Sequence, residues 1–227
     1  MPKHLLREIE KLKKQILAIG AVVEESLHKA VRALQVRDER LAKRVIESDI
    51  EIDRMEVDME EDCLKVLALH QPVASDLRLI VAILKINNDL ERIGDLAVNI
   101  AERAVFLSTQ KPVDAPLDFA VMVEKTKEML RKSLDALVDG DATLAHKVCL
   151  ADDEVDAINR EMHAQVQESI RLHPDQVESL LHLLSASRHL ERVADHATNI
   201  AEDVIYMIEG HIVRHKEERF GSKSGAN

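Results

Sequence analysis

Residues 90–102 read LERIGDLAVNIAE, and residues 190–202 read LERVADHATNIAE. Nine of the thirteen positions are identical without a gap, at an offset of 100. Helical composition alone does not produce that agreement. Upstream, SDIEID at 48–53 matches ADDEVD at 151–156 at an offset of 103, so the three-residue change falls in the loop between the matched segments. A 227-residue chain carrying one unit twice must fold as a duplicated supersecondary structure.

Composition says what the unit is made of. The chain holds three Phe, one Tyr and no Trp, with only six Gly and five Pro. Sheet proteins use aromatics in strands and Gly and Pro in turns, so long helices are expected. Periodicity and punctuation predict six of them. The first spans about 5–36, and Asp38 caps a second that reaches residue 69. His70-Gln71-Pro72 breaks it, and Ser75 caps a third that runs to 107. After a two-proline linker, a fourth spans 117–138. Asp139-Gly140 turns the chain, and Asp141 caps a fifth that ends at 172. His173-Pro174 breaks that one, Asp175 with Glu178 has capping-box spacing for a sixth, and Gly210 closes it. Helices of about 30 residues with short connections pack as antiparallel bundles. The expected fold is all-α, two tandem pseudo-symmetric three-helix bundles: one repeat over 1–108, a linker over 109–116, a second repeat over 117–210 and a frayed tail over 211–227. In the third helix Ile86, Leu90, Ile93, Ala97, Ile100 and Ala104 step by four and three, as a bundle seam does.

Repeated apolar residues are core, but repeated polar ones need another reason. The third helix carries Glu91, Asp95, Asn99 and Glu102 on one face, and the sixth repeats them as Glu191, Asp195, Asn199 and Glu202. The second and fifth helices each carry an i, i+4 pair, Asp49/Asp53 and Asp152/Asp156. In an antiparallel hairpin, residues at equal height share a constant index sum. Asp49 with Asp95 and Asp53 with Glu91 both give 144, centred on Pro72; Asp152 with Asp195 and Asp156 with Glu191 both give 347, centred on the His173–Pro174 bond. Each hairpin therefore brings four carboxylates to one level. At ~5 Å and an effective dielectric of about 20, each like-charge pair costs on the order of 3 kcal/mol. A cation could offset it, and a carboxylate set without Cys suits Mg, Ca, Mn, Fe and, less typically, Zn. Arg92 and Arg192, repeated beside the glutamates, could do so instead. An isolated ExxxD on a helix is ordinarily a solvated face; the duplication and the level pairing raise these eight carboxylates above that reading. Asn99, Glu102, Asn199, Glu202 and the two arginines are candidates for additional or supporting ligands.

Other classes are disfavoured. The net charge of −11 and the lack of aromatics oppose nucleic-acid binding. No apolar run approaches the ~20 residues of a membrane span, and the N-terminus has no cleavage-site pattern. Cys63 and Cys149 read as free thiols of a reducing cytoplasm. Only Glu25/His28 has Glu-x-x-His spacing, where a ferritin-like di-iron site needs two such motifs. His196 has Leu96 as its counterpart, so it is not a repeated ligand. No P-loop or Ser/His/Asp signature is present.

The segments AKRVIESD (42–49), QPVASDLRL (71–79), ERIGD (91–95) and the second copy LERVAD resemble the PhoU family from about residue 5 to 209, with mild departures at His189 and Ala194. The resemblance implies two three-helix bundles that often dimerise. It also implies multinuclear iron or zinc clusters on Asp49/Asp53, Glu91/Asp95, Asp152/Asp156 and Glu191/Asp195. It implies a cytoplasmic, non-catalytic regulator that links the phosphate ABC transporter, through its ATPase subunit, to a two-component histidine kinase. Such proteins restrain phosphate uptake and the phosphate-starvation response. A metal-dependent helical-bundle enzyme and a metal-storage protein are the competing expectations.

Overall fold

The computed structural model describes residues 3–113 and 119–211. They form α1 (Lys3–Val36), α2 (Glu39–His70), α3 (Ser75–Ser108), α4 (Phe119–Asp139), α5 (Ala142–Leu172) and α6 (Val177–Glu209), with no strand among the described residues. The expected frayed tail beyond His211 and part of the expected linker lie outside the described residues.

The starts of α2 and α5 follow the sequence closely. The carboxylates of Asp38 and Asp141 accept from the amides of Leu41 and Leu144, at 2.9 and 3.0 Å, each satisfying one orphan donor of a first turn. Two other starts differ from expectation. Ser75 lies inside α3 and caps nothing; the preceding Ala74 takes a positive φ (φ 49°, ψ −116°) with no side-chain cap. Asp175 does not cap α6 either. Pro174–Gln176 wind into a single 3-10 turn, and α6 begins at Val177, because Pro174 pre-sets a helical φ while supplying no N–H. Gly210 ends α6 at φ 75°, its amide bonded to the Tyr206 carbonyl, the left-handed closure that glycine permits. Where α1 turns into α2, Arg37 donates to the carbonyls of Leu107 at 3.0 Å and Gln110 at 2.8 Å, satisfying acceptors at the C-terminus of α3.

Each repeat is a three-helix unit. α2 packs on α1 and α3, and α5 packs on α4 and α6. The anticipated α3 seam, Ile86, Leu90, Ile93, Ala97, Ile100 and Ala104, is fully buried. The duplication extends to the core register. The buried residues of α2 (Ala42, Val45, Ile52, Met59, Cys63, Val66) and of α5 (Ala145, Val148, Val155, Met162, Val166, Ser169) correspond one for one at the offset of 103. A buried polar tie is also repeated with altered chemistry. Asn87 donates to the Glu56 carbonyl at 2.9 Å, and its counterpart Ser187 donates to Asn159 Oδ1 at 3.1 Å.

The two units join mainly through α3 against α6, with a smaller α1–α4 contact, around one continuous apolar core. The α3–α6 pairing is antiparallel. Lys85 meets Asp203 at 3.1 Å, Phe106 stacks on His182 with centroids 3.7 Å apart, and Asn199 donates to Asp89 at 3.3 Å. All three pairs share the index sum 288, as do the equivalent residues Gly94 and Ala194. A pseudo-twofold axis therefore passes at the level of Gly94 and Ala194.

Candidate metal centre

α2 and α3 run antiparallel with their carboxylates level, and α5 and α6 do the same. In the second repeat the convergence is closest: one oxygen each of Asp156, Glu191 and Asp195 lie within 4.8 Å of one another. Asp195 is exposed while Asp156 and Glu191 are half-buried, so the cluster is open to solvent. Asp152 stands beside it, half-buried, with Oδ1 shielded from solvent and accepting no hydrogen bond. Burial foremost, then the charges of Asp195 and Asp156, push the Asp152 carboxyl up to about 6, against the opposing Thr198 hydroxyl. Burial and neighbouring carboxylates also raise Glu191 and Asp195, against the nearby Arg192.

The first repeat assembles the same four groups differently. Burial, then Asp53, then Asp95 push Asp49 up to about 6. Burial and then Asp95 raise Glu91. Here Arg92 occupies the cationic role: its guanidinium lies 3.5 Å from Glu91 and 3.6 Å from Asp95. The convergent triad among the described residues is therefore in the second half. The supporting candidates scatter. Asn99 donates to the Asp95 carbonyl of its own helix, Glu102 pairs with Arg103, and Asn199 turns to Asp89 in the inter-repeat contact. Glu202 acts on Cys149, whose thiol is pushed up to about 12, chiefly by burial.

The donor set fits a hard, oxygen-seeking cation: three carboxylates within ligand reach, a solvent-open side for water ligands, and an unmatched acceptor on Asp152. Sequence reasoning missed the polar contact that neighbours this site. His196 Nδ1 lies 2.8 Å from Asp89 Oδ1. The signal lay in Asp89 and His196 both departing from their repeat counterparts, His189 and Leu96.

These features define an all-α protein of two fused three-helix repeats, each presenting a carboxylate cluster on its outer hairpin. The PhoU domain model matches twice, over residues 16–104 and 119–204. The chain is 41% identical over 212 residues to the phosphate-specific transport system accessory protein PhoU homolog of Aquifex aeolicus, covering 93% of this chain and 96% of that one. It is 39% identical to the homolog from Pseudomonas putida, over 92% of this chain and 82% of that one. The crystal structure of PhoU from Pseudomonas aeruginosa superposes with a TM-score of 0.88 at 37% identity, covering 90% of this chain and 99% of that one. That of the phosphate transport system regulatory protein PhoU from Streptococcus pneumoniae gives 0.82 at 30% identity, over 92% and 99%. The chain belongs to the PhoU family.

Proposed function

We propose that this protein is a cytoplasmic, non-catalytic regulator of phosphate uptake and of the phosphate-starvation response. It acts as an adaptor between the ATPase subunit of a phosphate ABC transporter and a phosphate-sensing histidine kinase. The observation that carries the reading is that both repeats, over nearly the full chain, align with relatives named as accessory proteins of the phosphate-specific transport system. No described helix is long and apolar enough to cross a membrane, in keeping with a protein that docks on a transporter rather than forming one. Deleting the gene in its native host tests the reading. Phosphate uptake and a starvation-responsive phosphatase reporter should rise in phosphate-rich medium; unchanged uptake and reporter would overturn it.

The carboxylate clusters are proposed to hold metal, iron or zinc foremost and Mn, Mg or Ca by donor chemistry. Asp156, Glu191 and Asp195 supply the first ligands, with Asp152 adjacent. In the first half Asp49, Asp53, Glu91 and Asp95 would do so once Arg92 swings aside. Bound metal would supply positive charge that ties each outer hairpin together. The triad also keeps a second reading in play, a metal-dependent enzyme or a metal store. Metal analysis of protein purified without chelator, with oxidase and phosphatase assays on the same sample, separates them. About one cluster per repeat without turnover supports the regulator, whereas turnover or much higher loading supports the other readings. A homodimer, which the family resemblance implies, is proposed as well, and sedimentation analysis tests it.

A further inference from the structure

The outer face of α2 carries an apolar row that the fold does not use. Ile50, Val57 and Leu64 stand seven residues apart and are 56, 51 and 53% exposed. Seven-residue spacing keeps three side chains nearly in line along about 21 Å of helix. α2 packs on α1 and α3 with its opposite side, so nothing described covers the row.

The duplication supplies an internal control. At the offset of 103 that aligns every buried residue of α2 and α5, the counterparts of Ile50, Val57 and Leu64 are Asp153, Arg160 and Gln167. The exposed large apolar residues of α5, Leu150 and Leu172, stand about six turns apart and form no row. The same hairpin therefore folds with a polar outer face, and the α2 row is not required for packing. Its neighbours are predominantly acidic, most of all about Val57. Between positions 43 and 65 the exposed charged residues are the acids Glu47, Glu51, Asp53, Asp58, Glu60 and Glu61 and the bases Lys43, Arg44, Arg54 and Lys65, with Lys43 and Lys65 paired along the helix to Glu39 and Glu61. A shallow hollow lined by Asp53, Arg54, Val57 and Asp58 lies at mid-row.

We infer that this face of α2 docks a helix of a partner protein, one that presents an apolar heptad seam flanked by Lys and Arg. The inference rests on the adaptor reading above and names the surface and partner chemistry for it. The apolar row provides the seam, and the acidic borders select a basic partner and orient it. The same borders give a second copy no net gain in charge pairing, whereas a basic partner gains at every acidic position. Antiparallel self-pairing about Val57 sets Asp53 against Glu61 and Glu56 against Asp58, which offset its two opposite-charge matches, Arg54 with Glu60 and Asp49 with Lys65. They also repel an anionic lipid surface or a nucleic acid.

The probe is a 21-residue synthetic helix with Leu at heptad spacing and Lys/Arg flanks, compared with the same peptide bearing Glu flanks. Binding to the full chain is read by fluorescence anisotropy at two salt concentrations. The basic peptide should bind at least about tenfold more tightly than the acidic one and weaken with salt. The triple variant Ile50→Ser/Val57→Ser/Leu64→Ser should lose about tenfold or more without a lowered Tm, because the three side chains are already exposed. Arg160→Ser/Gln167→Ser, at the counterpart positions on α5, should bind as wild type. Equal binding of both peptides, or no loss in the triple variant, overturns the inference. So does a dimer that the triple variant abolishes, which would make a second copy the occupant. In the deletion strain the two readings separate. If deletion derepresses the reporter but the triple variant restores full repression, the α2 surface fails and the regulator stands. If deletion changes nothing, the regulator itself fails.

Discussion

Asp89 of α3 and His196 of α6 meet at 2.8 Å across the inter-repeat interface, their side chains 12% and 18% exposed, and Asn199 donates to the same carboxylate oxygen at 3.3 Å. One oxygen thus fastens two residues of the opposite repeat. Asp89→Ala strands both partners, and a half-buried donor left without its acceptor costs about 1–3 kcal/mol. The variant should show that loss in urea unfolding. A double-mutant cycle with His196→Ala should return a coupling of about 1 kcal/mol. A coupling near zero would mean that the contact is formed but contributes nothing.

Acid should stabilise the carboxylate clusters of the metal-free protein. Asp49 and Asp152 are held at about 6, above their ordinary 3.8, with burial the first cause. For a carboxyl raised by folding, the folded state binds more protons than the unfolded chain between those values. This stabilisation is complete below about 3.8 and is lost as pH rises through about 6. With both groups partly open to solvent, each contributes on the order of 1 kcal/mol after screening. The Tm change of chelator-treated protein from pH 5 to pH 7 should therefore be more negative in the wild type than in Asp152→Asn, a comparison that cancels the opposite contribution of His182 and His189, whose pKa burial lowers. Asp152→Asn should also raise the pH 7 value. The same pH 5 to pH 7 change in both proteins would contradict this.

The two carboxylate clusters should not bind metal equally. Arg92 spans Glu91 and Asp95 in the first repeat, whereas Asp156, Glu191 and Asp195 already converge in the second. Calorimetric titration with Mn or Zn should resolve a tighter and a weaker site. Asp156→Asn should remove the tighter one. Arg92→Ala should tighten the weaker one by about tenfold, since a competing charge within 4 Å is withdrawn. Identical sites in the wild type would refute the assignment.

Gly94 and Ile52 form a fitted pair. A Cβ at Gly94 would sit 3.2 Å from Ile52 Cδ1 and 3.3 Å from its Cγ2. The second repeat makes the reciprocal choice, Ala194 with Val155. Gly94→Ala gains helix propensity but overpacks, a conflict worth about 1–2 kcal/mol of destabilisation. Ile52→Val alone should cost about 1 kcal/mol, as methylene deletions in cores do. Together they should cost less than the sum of the two, because valine removes the Cδ1 contact and keeps the Cγ2 one, a departure from additivity that chemical denaturation measures directly.

Local signals in the sequence reached a long way. Asp38 and Asp141 lie where a cap is needed, the α3 seam repeats at bundle spacing, and the index sums that levelled Asp49 with Asp95 match the electrostatic neighbours in the structure. Those features depend on residues within one helix or one hairpin. What escaped depends on longer range or on backbone detail. The contact of Asp89 with His196 joins positions 107 apart, and nothing local marks it. Arg92 and Arg192 are the same residue type at the same repeat position, yet only side-chain placement reveals that the first spans two carboxylates. The α6 start shifted to Val177 because the chain after Pro174 closed a 3-10 turn instead of using Asp175 as a cap.

The axis at Gly94 and Ala194 has a further consequence. In a symmetric pair of separate chains, every contact across the axis occurs twice, so a residue that helps on one side must be tolerated on the other. Fusion lifts that constraint. The mirror position of Asp89/His196 holds Leu96 with His189, and the mirror of Lys85/Asp203 holds Arg103 with Ser185. Each crossing can thus be tuned once, and a chain that reads as a duplicate can give its two ends different work.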